Sequence, residues 1–159
     1  MPFGMHGLGQ ELRDKVRAMR SVGIDVCVVE QNYSSLQRRI VEPDIEALLV
    51  PHPVHPVNLI CHNLPATSLI ARKNPELLEG RYNIGAPYWE YREIPKNHLA
   101  GFDALDELWT SNSFLTECFR PAMAAPIIEM PLHLPFPEPS KKRATQKDTC
   151  RVPYDCAVI

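Results

Sequence analysis

No apolar run in this chain approaches the ~20 residues that a membrane-spanning helix needs. The opening residues, MPFGMHGLGQEL, lack both the basic start and the apolar stretch of a secretory leader. An excess of one charge is missing too: 17 Lys and Arg stand against 19 Asp and Glu, a formal net charge of −2. That balance removes the electrostatic basis for nucleic-acid binding or for attraction to an anionic membrane. There is no disulfide framework. The five cysteines (Cys27, Cys61, Cys118, Cys150 and Cys156) are odd in number and irregularly spaced. Cys27 and Cys61 sit within apolar runs, which points to reduced, buried thiols in a cytoplasmic protein. No internal repeat is present, and the 16 prolines punctuate loops rather than forming a low-complexity block.

The 159 residues, 45% apolar and 23% charged, suit one soluble domain with a real core. The organising stretch is 81–113, RYNIGAPYWEYREIPKNHLAGFDALDELWTSNS. An apolar run over 82–88 ends in Trp89-Glu90. A proline-initiated helix is expected over 95–102, and a second apolar run carries Glu107, Leu108 and Trp109 into Thr110-Ser111. Strand, polar tip, short helix, strand, polar tip is the pattern of an α/β parallel sheet. In open α/β sheets ligands gather beyond the carboxyl ends of the strands. Glu90 and Ser111 are therefore expected to face a shared cleft.

Upstream, Gly7-Leu8-Gly9 precedes a helical pattern in which Leu12, Val16, Met19 and Val22 share one face, with Gly23 as its stop. A glycine-rich helix start can present backbone N–H groups to an anion such as a diphosphate, and a tight turn is the simpler alternative. Glu30 follows Gly9 at close to the ~20-residue spacing of an acidic ribose contact in dinucleotide-binding folds. Leu12, however, occupies the place of the third glycine, and only six residues precede Gly7. Strands are expected over 24–29, 45–50, 57–61 and 126–130, with a polar loop or short helix over 32–42. Helices are expected from Leu64 to about Arg72, and from Phe114 to near Pro121 with Ser113 as cap. His52 and His55, framed by prolines, read as a surface loop rather than a metal site. His62 and Asn63 close the 57–61 strand and are candidates for polar contact with a substrate; a strand-end histidine bonded to backbone is the plainer reading.

Trp89-Glu90, Asp106-Glu107-Leu108-Trp109 and Ser111 with Phe114 together resemble the N-terminal half of GT-B glycosyltransferases of the group 1 (family 4) type. The resemblance runs over about 7–135; Asn97-His98 stands where that family often has tryptophan. It implies a Rossmann-like, mostly parallel sheet flanked by helices, one half of a GT-B fold. It implies sugar transfer, with retained configuration, from a nucleotide-sugar donor to a glycan or other hydroxyl acceptor, with no cofactor and no bound metal. On this reading 1–135 is the acceptor-side domain lacking its first strand, 136–151 a linker, and 152–159 the start of a second, donor-binding domain that is missing. Gly7 and Gly9 would contact the donor phosphates. His62, Asn63, Trp89, Glu90 and Ser111 would line the acceptor side. Trp89 and Trp109 would stack on sugar faces, although both lie in apolar runs that favour core packing. The chain alone is expected to be inactive, because catalysis needs donor and acceptor held together. No nucleic acid or transmembrane segment enters this reading; peripheral membrane association stays compatible with it. A non-catalytic glycan- or protein-binding module and a dinucleotide-dependent oxidoreductase are the alternatives.

Overall fold

A computed structural model describes residues 7–31, 40 and 42–132. The expected linker at 136–151 and second-domain start at 152–159 lie outside the described residues, as does most of the 32–42 loop.

The chain builds an α/β fold around a four-stranded parallel sheet. Helix α1 (Gly7–Ser21) comes first, then α2 (Pro43–Glu46), β1 (Val57–Ile60) and α3 (Leu64–Lys73). Strand β2 (Tyr82–Gly85), a 3₁₀ helix at Lys96–Gly101, β3 (Glu107–Thr110), α4 (Ser113–Phe119) and β4 (Ile127–Glu129) complete it. The strands lie side by side in chain order, all parallel, with Ile60 opposite Gly85 and Leu108 opposite Ile127. Each crossover therefore steps the same way across the sheet. The right-handed rule then puts α3, the Lys96–Gly101 turn and α4 on one face. Packing agrees. Leu64 and Ile70 of α3, Phe102, and Leu115 and Phe119 of α4 form one buried cluster with Ile60 and Leu108. A second, smaller cluster joins α1 to the chain after it, through Val16, Val28 and Ile45.

Local sequence explains the helix ends. Gly23 adopts φ 84°, the left-handed conformation that only glycine takes without strain. The Gly23 amide bonds to the Arg20 carbonyl at 3.0 Å and the Ile24 amide to the Met19 carbonyl at 3.1 Å. These two bonds are the Schellman closure expected of a C′ glycine. Val22 falls just beyond α1 and is 75% exposed, so it does not extend the apolar face. Asn63 caps α3, its side chain accepting from the Ala66 amide. The cap of α4 is Asn112 rather than the expected Ser113: its Oδ1 accepts from the Leu115 amide at 3.0 Å. Asn112→Ala should cost about 1 kcal/mol, read as a lower urea midpoint at unchanged slope; Ser113→Ala should leave the midpoint where it is.

Two expected strands do not form. Over 24–29 only Val28 pairs, in a lone parallel bridge to Leu49. Its amide bonds to the Leu48 carbonyl at 2.8 Å, and the Val50 amide bonds back at 2.9 Å. The other side of this segment faces a cavity instead of a neighbouring backbone. The 45–50 run loses its first half to α2, because Pro43 at the helix start has its φ preset and needs no donor there. The expected 95–102 helix is present as 3₁₀ turns, and 82–88 is a strand only as far as Gly85.

Candidate functional site

Parallel strands deliver their carboxyl ends to one edge of the sheet, and the residues just past β2 and β3 meet there. Tyr88 and Ser111 border one small cavity, where Ser111 Oγ accepts from Asn112 Nδ2 at 3.4 Å. Burial raises the Tyr88 phenol above its usual value, and the nearby Ser111 hydroxyl pulls the other way. Helix α1 lies over these tips and contributes Glu11 and Lys15, which form an i,i+4 ion pair. Both line a cavity of about 10 Å³ together with Tyr88, Trp109 and Ser111. That space holds about one water.

The electrostatics of this cluster are set by burial. The Glu11 side chain is 10% exposed, and its Oε2 has no hydrogen-bond partner while Oε1 faces Lys15. An ionised oxygen left that way is a strong acceptor in want of a donor. The Lys15 ammonium is pushed below its ordinary value by burial, against a smaller opposing pull from Cys61. Burial pushes the Cys61 thiol up, and Lys15 draws it back only in part. The folded thiol thus keeps its proton at a pH where the unfolded one, near 9.0, loses it. The stability this contributes is whole below pH 9.0 and is lost as pH rises from there through the folded value. Urea midpoints measured from pH 8 to 10 should therefore fall more steeply for the parent chain than for Cys61→Ala.

The residues singled out from sequence are distributed as follows. Gly7 and Gly9 are not a loop ahead of the helix; they are part of the first turn of α1, with Gly9 buried. Ser111 is in the strand-end cluster. Glu90 is exposed and lines neither cavity, so Ser111 shares its cavity with Tyr88 where Glu90 was expected. The segment between them is nevertheless the expected parallel crossover. His62 is half-buried and lines a second, larger cavity beside β1. Asn63 is exposed and its side chain is engaged in capping α3. Trp89 packs against the main core, donates Nε1–H to the Glu93 carbonyl at 3.0 Å, and meets Tyr91 and His98 edge-on. Trp109 is half-buried, lines both cavities and donates to Glu107 Oε1 at 2.6 Å. Sequence reasoning missed Glu11, Lys15 and Tyr88. The available signal was the i,i+4 Glu–Lys spacing one turn into a glycine-led helix. Such pairs are common on solvated faces, and only the tertiary contact buries this one.

Glu30 ends the 24–29 segment half-buried. His55 Nε2 lies 3.7 Å from Asp25 Oδ2. Among the described residues no group of three or more His, Cys, Asp or Glu could hold a metal ion, and no helix is long and apolar enough to cross a membrane. No protein-family model, curated protein or solved structure matches the chain.

Proposed function

We propose that this chain is the acceptor-side Rossmann-like domain of a nucleotide-sugar-dependent glycosyltransferase of the GT-B type. The carrying observation is the strand-end cluster: a nine-tenths-buried carboxylate with an unpartnered oxygen, its lysine partner, and the Tyr88 and Ser111 hydroxyls. Carbohydrate hydroxyls donate to carboxylates and accept from ammonium groups. The cluster also lies where α/β sheets gather ligands. Parallel topology and the Asp106-Glu107-Leu108-Trp109 run, placed on β3 and its approach, support the same reading.

On this reading the described residues form one wall of a cleft. They would bind and orient an acceptor hydroxyl while the donor is held by a second lobe. Turnover by the chain alone is not expected. Calorimetric titration of the full chain with maltotriose, UDP-glucose, GDP-mannose and NAD⁺ tests this. Saturable heat with a saccharide or nucleotide sugar is expected, weakened about tenfold in Glu11→Gln, because one charge-assisted hydrogen bond is lost. Heat with NAD⁺ alone, or saccharide binding that Glu11→Gln leaves intact, would sink the assignment.

A further inference from the structure

The space past the ends of β2 and β3 has room for one small group. It measures about 10 Å³, roughly what one water needs. Its border is apolar at Ala86 and Pro87 and polar at Glu11, Tyr88 and Ser111. Met130, also on the border, is 37% exposed, so the space opens to solvent on that side. The polar groups have different needs. Lys15 is held by Glu11 Oε1, while Glu11 Oε2 is buried without a partner and calls for a donor. The Ser111 hydroxyl accepts from Asn112 Nδ2 at 3.4 Å, which leaves its own proton to donate. Burial keeps the Tyr88 phenol protonated beyond its ordinary range, so it too can donate. A group seated among them must therefore both give and take a hydrogen bond, as a hydroxyl does. Charge of either sign is disfavoured. A carboxylate or phosphate brings no proton for Glu11 Oε2 and sets its charge against it; an ammonium sets its charge against Lys15. Either ion would also lose hydration on entering. Width selects further. A ring hydroxyl carries ring atoms on both sides of its carbon, whereas a hydroxyl on a CH₂ arm stands one bond clear of the ring.

We propose that this space takes the primary hydroxyl of a neutral saccharide, a –CH₂OH group that donates to Glu11 Oε2 and accepts from Ser111 or Tyr88. The inference rests on the acceptor-side reading of the same cluster and narrows it: the acceptor is uncharged at this position, and its exocyclic hydroxyl enters instead of a ring hydroxyl. Such a group fills the volume of one water and supplies the bonds that a water would make. Glu11 anchors the saccharide through it, with no covalent bond made or broken. A sugar lacking only this oxygen would leave Glu11 Oε2 buried and without a donor, and a site built to bond a hydroxyl rejects the analogue that lacks it.

The test titrates the full chain calorimetrically with the methyl glycosides of glucose, galactose and mannose, each beside its 6-deoxy and 6-carboxylate counterparts. For a glycoside that binds, both counterparts are expected to bind about tenfold more weakly. In Glu11→Gln the parent sugar and its 6-deoxy form should come within about twofold of each other, because the charged acceptor is gone. If that variant does not fold, the panel on the parent chain decides alone. Equal affinity for the 6-deoxy form overturns this inference and leaves the acceptor-side reading standing. So does tighter binding of the 6-carboxylate, or a 6-deoxy penalty unchanged in Glu11→Gln. Absence of heat with every one of these glycosides also overturns it; where maltotriose and the nucleotide sugars are silent as well, the acceptor-side reading falls with it.

Discussion

Gly101→Ala should cost about 3 kcal/mol, near the upper end of the usual overpacking range, although it adds one methyl group. A Cβ built at Gly101 would stand 2.4 Å from the Leu64 carbonyl oxygen and 2.8 Å from the Leu64 Cα. Leu64 is fully buried and opens α3, so its backbone cannot step aside without moving the helix. The 3₁₀ turn and α3 touch through backbone here, and glycine is what allows that approach. Gly85→Ala is the informative contrast. Its Cβ would meet Leu105 Cδ1 at 2.4 Å, but that atom is the end of a side chain that can change rotamer. About 1 kcal/mol is expected there. Urea unfolding by circular dichroism gives both values. Equal midpoints for Gly101→Ala and the parent would show that the two elements are not in the contact described.

The second large effect is expected at Glu42. Arg13 is 1% exposed on α1, and its Nε lies 2.8 Å from Glu42 Oε1 in an ion pair, while Nη2 donates to Gln10 at 2.8 Å. Arg17 reaches the same carboxylate and also Asp44, to which its Nε donates at 2.8 Å. Those bonds raise the Arg17 guanidinium above its ordinary value and hold the Asp44 carboxyl below its own. Glu42→Ala takes away the carboxylate that pairs with the buried Arg13 cation. Breaking a fully buried pair costs about 3–5 kcal/mol. Glu42 is 23% exposed, so water can enter the vacated space, and about 2 kcal/mol is the better expectation. The sharper check is the double variant Arg13→Met with Glu42→Ala. It removes the buried charge along with its carboxylate and should recover most of the loss, giving a non-additive cycle. Additive losses would mean that Arg13 is satisfied by other groups.

How much was legible beforehand can be followed along the chain. The i, i+4, i+7 spacing of Leu12, Val16 and Met19 made α1 readable, and Gly23 ended it for a local reason. The apolar runs at 57–61, 82–88 and 107–110 read as strands because β-branched and aromatic residues between turn signals carry that information themselves. Their parallel order followed from the intervening helical segments. The runs at 24–29 and 45–50 look equally strand-like in sequence, yet only a single bridge forms between them. A strand exists by pairing, and pairing is not written in the strand's own residues. The site divides in the same way. Ser111 was visible as a polar tip after an apolar run. It shares its cavity with Tyr88, not Glu90, because a strand's last residues turn according to backbone geometry that the alphabet of side chains does not show. Glu11 and Lys15 looked like an ordinary solvated pair, and only the seating of α1 over the strand ends buries them.

Local chemistry, then, decided the helices, their stops at Gly23 and at the Asn63 and Asn112 caps, and the α/β alternation, since each depends on residues within a few positions of one another. Tertiary structure alone decided which carboxylate lost its solvent, which hydroxyls share a cavity, and that the 24–29 segment borders a void with β1. Those outcomes join residues such as Lys15 with Ser111, or Val29 with Leu59, whose proximity is created by the path of the chain between them.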